Sequence, residues 1–334
     1  MTTIDVHAHV IPPALVDAML AGTAPDGIRI EDTDGAPWVV HRQGYRYPLL
    51  DSFHSVAARL KAMDEAGIDI ALLSIAPPLF LYWIEADGAR GAASVMNDAI
   101  AAMVAAVPDR FAGLATLPMQ DPDAAVAELR RSVQELGLRG AQIGANIEGL
   151  PLDDPSLRPV LEEAQRLRVP LLIHPYYVGS TSGLDDFYLT NLQGNPWQTA
   201  VAASRLILSG TLDALPNLDL ILVHGGGHLL YQIGRLDHGH RVRPEAAAPL
   251  LAPSEYLRRF HFDTLTHSAD ATRWLVEKVG ADRVLFGTDM PFDMGESALE
   301  VQVPATRYAA DALADITHRN AETLFRLNGE CTHG

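Results

Sequence analysis

Short apolar runs recur along the chain, several of them closed by a polar residue. They fall near residues 3–7, 69–75, 112–117, 140–143, 170–174, 218–224, 261–264 and 284–288. Continuous apolar runs this short read as strands buried on both faces, the habit of parallel sheets. Segments with helical spacing lie between them. Residues 52–66 set Val56, Leu60 and Met63 on one face and end at Gly67. Residues 89–107 are alanine-rich and stop at Pro108, and 122–136 carry Val126, Leu129 and Val133 before Gly137. Residues 155–167, 196–212, 269–279 and 296–313 supply further helices, and 314–327 closes the chain. Strands alternating with helices in this way predict an α/β fold, a (β/α)8 TIM barrel formed as one domain over residues 1–334. A doubly wound open sheet would need a glycine-rich turn after the first strand, where His7-Ala8-His9 stands instead.

Two connections exceed the usual length. Residues 10–51 hold Ile28-Arg29-Ile30-Glu31, the turn Asp32-Thr33-Asp34-Gly35 and then Pro37 to His41, which predicts a small hairpin insertion over the barrel mouth. Residues 175–196, with Phe187 and Tyr188, predict a second cover.

The polar strand ends carry the candidate chemistry. In a strand, residues i and i+2 share a face, so His7 and His9 can reach one point. His174 ends Pro170-Leu171-Leu172-Ile173, His224 ends the run from Leu218, and Asp289 follows Val284-Leu285-Phe286-Gly287-Thr288. Each alone is an ordinary satisfied histidine or helix cap. In a barrel all strand C-termini meet on one face, so imidazoles and a carboxylate would converge there as a divalent-metal site.

Composition narrows the partners. The formal net charge of −17 argues against nucleic acid and against anionic membrane surfaces. Lys61 and Lys278 are the only lysines, so arginine must serve any anion pocket. The single cysteine, Cys331, forms no internal disulfide, which fits a reducing cytoplasm. The N-terminus carries no signal region, and no apolar stretch reaches the roughly 18–20 residues of a membrane span.

Asp5-Val6-His7-Ala8-His9, the lone His174, His224-Gly225-Gly226-Gly227 and Gly287-Thr288-Asp289-Met290-Pro291 together resemble the amidohydrolase superfamily. Within it they resemble the branch of aminocarboxymuconate semialdehyde and resorcylate-type decarboxylases, from strand 1 to Leu327. The resemblance implies one divalent ion held by His7, His9, His174 and Asp289, zinc by donor chemistry with manganese as the alternative. Binuclear relatives use a carbamylated lysine on strand 4, where this chain has Gln142, so the site reads as mononuclear.

His224 resembles the family's acid–base histidine, its alternative role being a further ligand, and Asp289 shares in the proton chemistry. Arg46 matches a substrate-clamping arginine on the insertion, and Phe187 takes a lid position that is tryptophan in the semialdehyde decarboxylase. Arg235 matches an arginine lent across a homodimer interface. His228 is a further candidate on the same face. His267 and the stretch from Phe80 to Glu85 depart from the semialdehyde decarboxylase and leave the particular substrate open. The expected activity is non-oxidative decarboxylation of a small unsaturated or aromatic carboxylic acid. The alternatives are hydrolysis of an amide, lactone or other cyclic substrate, and hydration of an unsaturated diacid.

Overall fold

The computed structural model describes residues 2–42, 44–176 and 183–327. Eight parallel strands appear in chain order: β1 (Ile4–Val10), β2 (Ile70–Ile75), β3 (Phe111–Gly113, continuing in Ala115–Thr116), β4 (Ala141–Gly144), β5 (Leu171–His174), β6 (Leu220–Leu222), β7 (Phe260–Asp263) and β8 (Val284–Leu285). Each pairs in parallel with the next. The ring closes just beyond β8: Val6 N donates to Phe286 O at 3.0 Å, Asp289 N to His7 O at 2.7 Å and His9 N to Met290 O at 2.7 Å. Strands 1 and 8 would be far apart in an open doubly wound sheet, so this closure establishes the TIM barrel.

Side-chain alternation separates two cores. Ile4, Val6, Leu72, Leu114, Leu172, Ile221, Val223 and Leu285 pack with one another and with Phe325 as the barrel interior. Their strand neighbours, such as Ala141, Ile143, Leu171 and Ile173, pack outward against the helices. Leu172 and His174 therefore share the inner face of β5. In β1 the register against β2 shifts between Asp5 and Ala8. This bulge resets the alternation, so that His7 and His9 turn inward above Ile4 and Val6.

The helices mostly follow the sequence. Ser55 caps Val56–Ala66 by accepting from Ala58 N, and Asp121 caps Pro122–Gln134 through Ala124 N. Gly67 ends the first of these in the left-handed region (φ 70°).

Residues 296–313 form no continuous helix. They break into Leu299–Gln302, Ala305–Arg307 and the start of Ala310–Ala314. Pro304, which has no N–H and opens the middle piece, is the physical cause. The helix Pro13–Leu20 escaped the periodicity, and another, Leu229–Val242, begins behind the His224 loop. The insertion after β1 contains an antiparallel three-stranded sheet of Arg29–Thr33, Ala36–Val40 and Arg46–Pro48, one strand more than a hairpin. Part of the second cover, residues 177–182, lies outside the described residues.

Candidate active site

The strand ends bring His7, His9, His174 and Asp289 together, with one ligand atom from each lying within 4.8 Å of the others. All four side chains are buried. His9 Nε2 lies 2.9 Å and His7 Nε2 3.4 Å from Asp289 Oδ1. The Nε2 atoms of the three histidines and Asp289 Oδ1 have no hydrogen-bond partner outside this set. Four convergent buried polar atoms without outside partners are costly unless something binds them.

The opposite nitrogens are all engaged. His7 Nδ1 is 2.7 Å from Asp263 Oδ2. His9 Nδ1 meets Ile75 O at 3.2 Å and Ser74 Oγ at 3.1 Å. His174 Nδ1 faces the carbonyl of Pro175. Holding Nδ1 fixes each ring and aims Nε2 at the common point, the arrangement metal-ligating histidines use. Three imidazoles and a carboxylate suit a divalent transition ion, so the residues present fit such a group.

The surrounding frame is polar and hydrogen-bonded. Asp263 also accepts from Gly225 N at 2.8 Å, tying the His224 loop to the His7 side. Asp5 accepts from Thr288 Oγ1 at 2.6 Å and from His7 N at 3.0 Å. Burial pushes the Asp5 carboxyl up to about 6, against these bonds. The buried guanidinium of Arg59 donates to the carbonyls of His9 and Met290, joining the ends of β1 and β8. Gln142 accepts from Ser74 Oγ at 2.6 Å and donates to Ile75 O at 2.9 Å. It thus fills the strand-4 position as a brace for His9's partners, not as a ligand.

Gly287 is required by close approach: a Cβ there would lie 2.9 Å from His7 Cβ and 3.0 Å from Asp263 Cβ.

Burial holds His9 below the ordinary histidine range and His174 well below it, with the neighbouring imidazoles adding to the second. For Asp289, burial pushes upward, but His7 and His9 outweigh it and the carboxyl is lowered. Burial also pulls His7 down, and there Asp263 with Asp289 reverses the sign.

His224 stands beside this set. Its ring centroid is 5.2 Å from that of His174 and 5.5 Å from that of His7. It opens a short turn at φ 56°, after which Gly225, Gly226 and Gly227 all adopt positive φ. A Cβ on Gly227 would overlap Pro196 O at 1.9 Å. The ring sits in this loop with Nδ1 buried and unpartnered, and burial lowers it to about 4.

Two cavities meet at His224 and Asp289. One, of about 40 Å³, is walled by Tyr45, Tyr47, Tyr176, Tyr188 and Phe292. The other, of about 330 Å³, runs past His228 and His267.

The remaining candidates divide. His228 lines the larger cavity. Arg46 lines neither: strand alternation turns Tyr45 and Tyr47 inward and Arg46 outward. Its guanidinium donates to Thr33 Oγ1 at 2.6 Å and lies 4.8 Å from the Trp38 ring. Phe187 is 85% exposed and also lines neither cavity, while the adjacent Tyr188 does line one. Arg235 is exposed on Leu229–Val242, away from both cavities. Sequence reasoning missed Asp263, Ser74 and Arg59. Asp263 carried a usable signal, since it too ends an apolar strand.

The comparisons agree with this geometry. The amidohydrolase family model matches residues 4–327. The 2-amino-3-carboxymuconate-6-semialdehyde decarboxylase of Dictyostelium discoideum is 40% identical over 71% of this chain and 67% of its own length. The gamma-resorcylate decarboxylase of Rhizobium radiobacter is 36% identical over 81% and 87%. Among solved structures, 5-carboxyvanillate decarboxylase from Sphingomonas paucimobilis superposes with a TM-score of 0.81 at 29% identity, covering 97% of this chain and 99% of that one. Dihydroxybenzoic acid decarboxylase from Polaromonas sp. JS666, with bound manganese and 2-nitroresorcinol, superposes at 0.77 and 28% identity, covering 98% of each. A barrel closed in strand order, with its histidines and aspartate gathered at the strand ends, and a match over nearly its whole length place this chain in the amidohydrolase family.

Proposed function

We propose that this protein is a metal-dependent, non-oxidative carboxy-lyase acting on a small aromatic carboxylic acid. The observation that carries the reading is the set of four buried ligand atoms, without outside partners, on His7, His9, His174 and Asp289, beside a histidine outside the set. Relatives named as decarboxylases, at 40% and 36% identity, support the reaction type. These four residues hold one divalent ion per chain. The donor set favours zinc, and the manganese in the Polaromonas structure makes that ion the rival. When bound, the ion would supply a Lewis acid that fixes an oxygen of the substrate and neutralises its charge.

His224 supplies the proton. A substrate carboxylate beside it raises its basicity from the depressed value that burial imposes. Nε2, the nitrogen opposite the buried Nδ1, delivers a proton to the carbon bearing the carboxylate. The C–H bond forms, the C–C bond breaks, and its electron pair returns to the ring as CO2 leaves. Asp289, which borders both cavities, keeps the charge balance as that proton moves. The tyrosine and phenylalanine wall excludes water around the reacting carbon. His228 borders the larger cavity as a hydrogen-bonding side chain for the substrate.

We extend the proposal to assembly. Arg235 lies seven residues past His228 on an outward-running helix, about 10 Å along it. It serves catalysis by entering the pocket of a second copy in a homodimer. The whole described chain acts as one barrel unit with the 10–51 insertion at its mouth. No described helix is long and apolar enough to cross a membrane, and we place the enzyme in the cytoplasm on its single cysteine.

The test is direct. The metal-loaded protein is incubated with 2,6-dihydroxybenzoate, 5-carboxyvanillate, 2-amino-3-carboxymuconate-6-semialdehyde, a lactone and a cyclic amide, tracking CO2 and product mass. CO2 release from an aromatic acid is expected. Ring opening by water with no CO2 from any acid overturns the reading.

A further inference from the structure

The two cavities at His224 and Asp289 differ greatly in size. The part under the tyrosine wall holds about 40 Å³, well under the roughly 150 Å³ of a cavity that takes a benzene ring. A carboxylate fits there, but a ring does not. The arm past His228 holds about 330 Å³. An apolar cavity of about 150 Å³ already takes a benzene ring, so this arm has room for a ring and roughly as much again.

Beyond His228, Thr266 and His267, its wall carries Leu192, Leu230, Leu265, Ala271, Trp274 and Leu275. The arm runs from the strand ends between the start of Leu229–Val242 and the start of Ala269–Val279, where Ala271 and Trp274 sit. Leu230, Leu265 and Leu275 are buried, and Trp274 is partly exposed at the rim. Buried leucines around unfilled volume make a surface whose covering by an apolar group is favourable.

We propose that this arm is a subsite for an apolar substituent, an alkyl chain or second ring, carried by the aromatic acid. The inference rests on the decarboxylase reading for the position of the carboxylate. The carboxylate enters the 40 Å³ recess, the ring crosses His224, and the substituent lies between Leu265 and Trp274. Ala271 sets the arm's width, because it is the smallest side chain in the lining and its neighbours are already large.

The experiment compares 2,6-dihydroxybenzoate with its 3-propyl and 4-propyl derivatives as substrates of the metal-loaded protein. It also compares 2-nitroresorcinol with its propyl derivatives as unreactive ligands by calorimetry. Each buried methylene is worth about fourfold, so at least one propyl isomer should gain tenfold or more in kcat/KM and in affinity. Ala271→Leu should erase that gain while leaving the unsubstituted compounds within about threefold. Trp274→Ala, which opens the rim, should extend tolerance to bulkier groups and serves if the first variant does not fold.

CO2 from the parent acid with no propyl gain in rate or affinity overturns the subsite and leaves the decarboxylase reading standing. A propyl affinity gain lost in Ala271→Leu, with no CO2 from any acid, keeps the subsite and overturns the reaction. A gain that Ala271→Leu leaves intact also overturns the subsite, because the substituent then lies elsewhere.

Discussion

A single imidazole shows how much of the site depends on partners that are not themselves ligands. His7 is aimed by Asp263 Oδ2, while Oδ1 of the same carboxylate accepts from Gly225 N and so holds the His224 loop. Asp263→Asn keeps the shape but weakens the grip on Nδ1, so metal affinity should fall about 10–100-fold in a chelator competition assay. An unchanged affinity would mean that the ring is oriented by packing alone. His224→Ala should behave in the opposite way, abolishing turnover while elemental analysis still finds about one equivalent of metal. Loss of the metal along with activity would make His224 a ligand. Histidines at strand ends were legible because each ended an apolar run. The roles of Arg59 and Ser74 were not, because neither ends an apolar run. Arg59 acts through the carbonyls of His9 and Met290, and Ser74 meets the His9 ring and the Ala8 carbonyl, contacts that only folding makes.

At the scale of elements, the end of β8 is the most constrained segment. Gly287 faces His7 and Asp263 too closely for any side chain. Gly287→Ala should therefore cost about 1–3 kcal/mol in denaturant unfolding and reduce metal content. Wild-type stability with full metal would show that β8 can shift outward at little cost.

On β7, His261 is buried with Nδ1 unpartnered, and burial, reinforced by Arg283, lowers it from 6.5 to about 4. The folded state keeps this ring neutral, whereas the unfolded chain takes up a proton below 6.5. The stability linked to His261 is thus intact above about pH 6.5 and is lost as pH falls towards 4, at most about 3 kcal/mol. Stability curves of wild type and His261→Gln should converge over that interval, and parallel curves would contradict the assignment. The strand–helix alternation was readable because the apolar runs were short and separated by segments of helical spacing. The break at Pro304 was not weighed against an otherwise helical pattern, and the β1 bulge leaves no mark in hydrophobicity at all.

For the molecule as a whole, removing the ion should leave four buried polar atoms without a counterpart. Thermal denaturation should then show a lower Tm after chelation, restored by adding back zinc or manganese. Assembly is tested by mixing Arg235→Ala with His224→Ala, each inactive alone. After random subunit exchange, a shared-site dimer regains one intact site in its mixed species, and activity should return towards about a quarter of wild type. Exchange without recovery would return Arg235 to the role of an ordinary surface residue.

The chain's own pattern was enough to specify the barrel and the convergence of His7, His9, His174 and Asp289 at its strand ends. Each of these follows from periodicity, or from the rule that parallel strand ends share a face. Which side chains look into the pocket was decided only by tertiary structure. Arg46 and Phe187 occupy insertion and loop positions whose facing depends on how those segments dock on the barrel. There Tyr45, Tyr47 and Tyr188 took the inward places. The apolar arm beside Trp274 likewise belongs to no single segment. It is the space left between two helices whose packing on the strands sets its volume, and no local pattern encodes a volume.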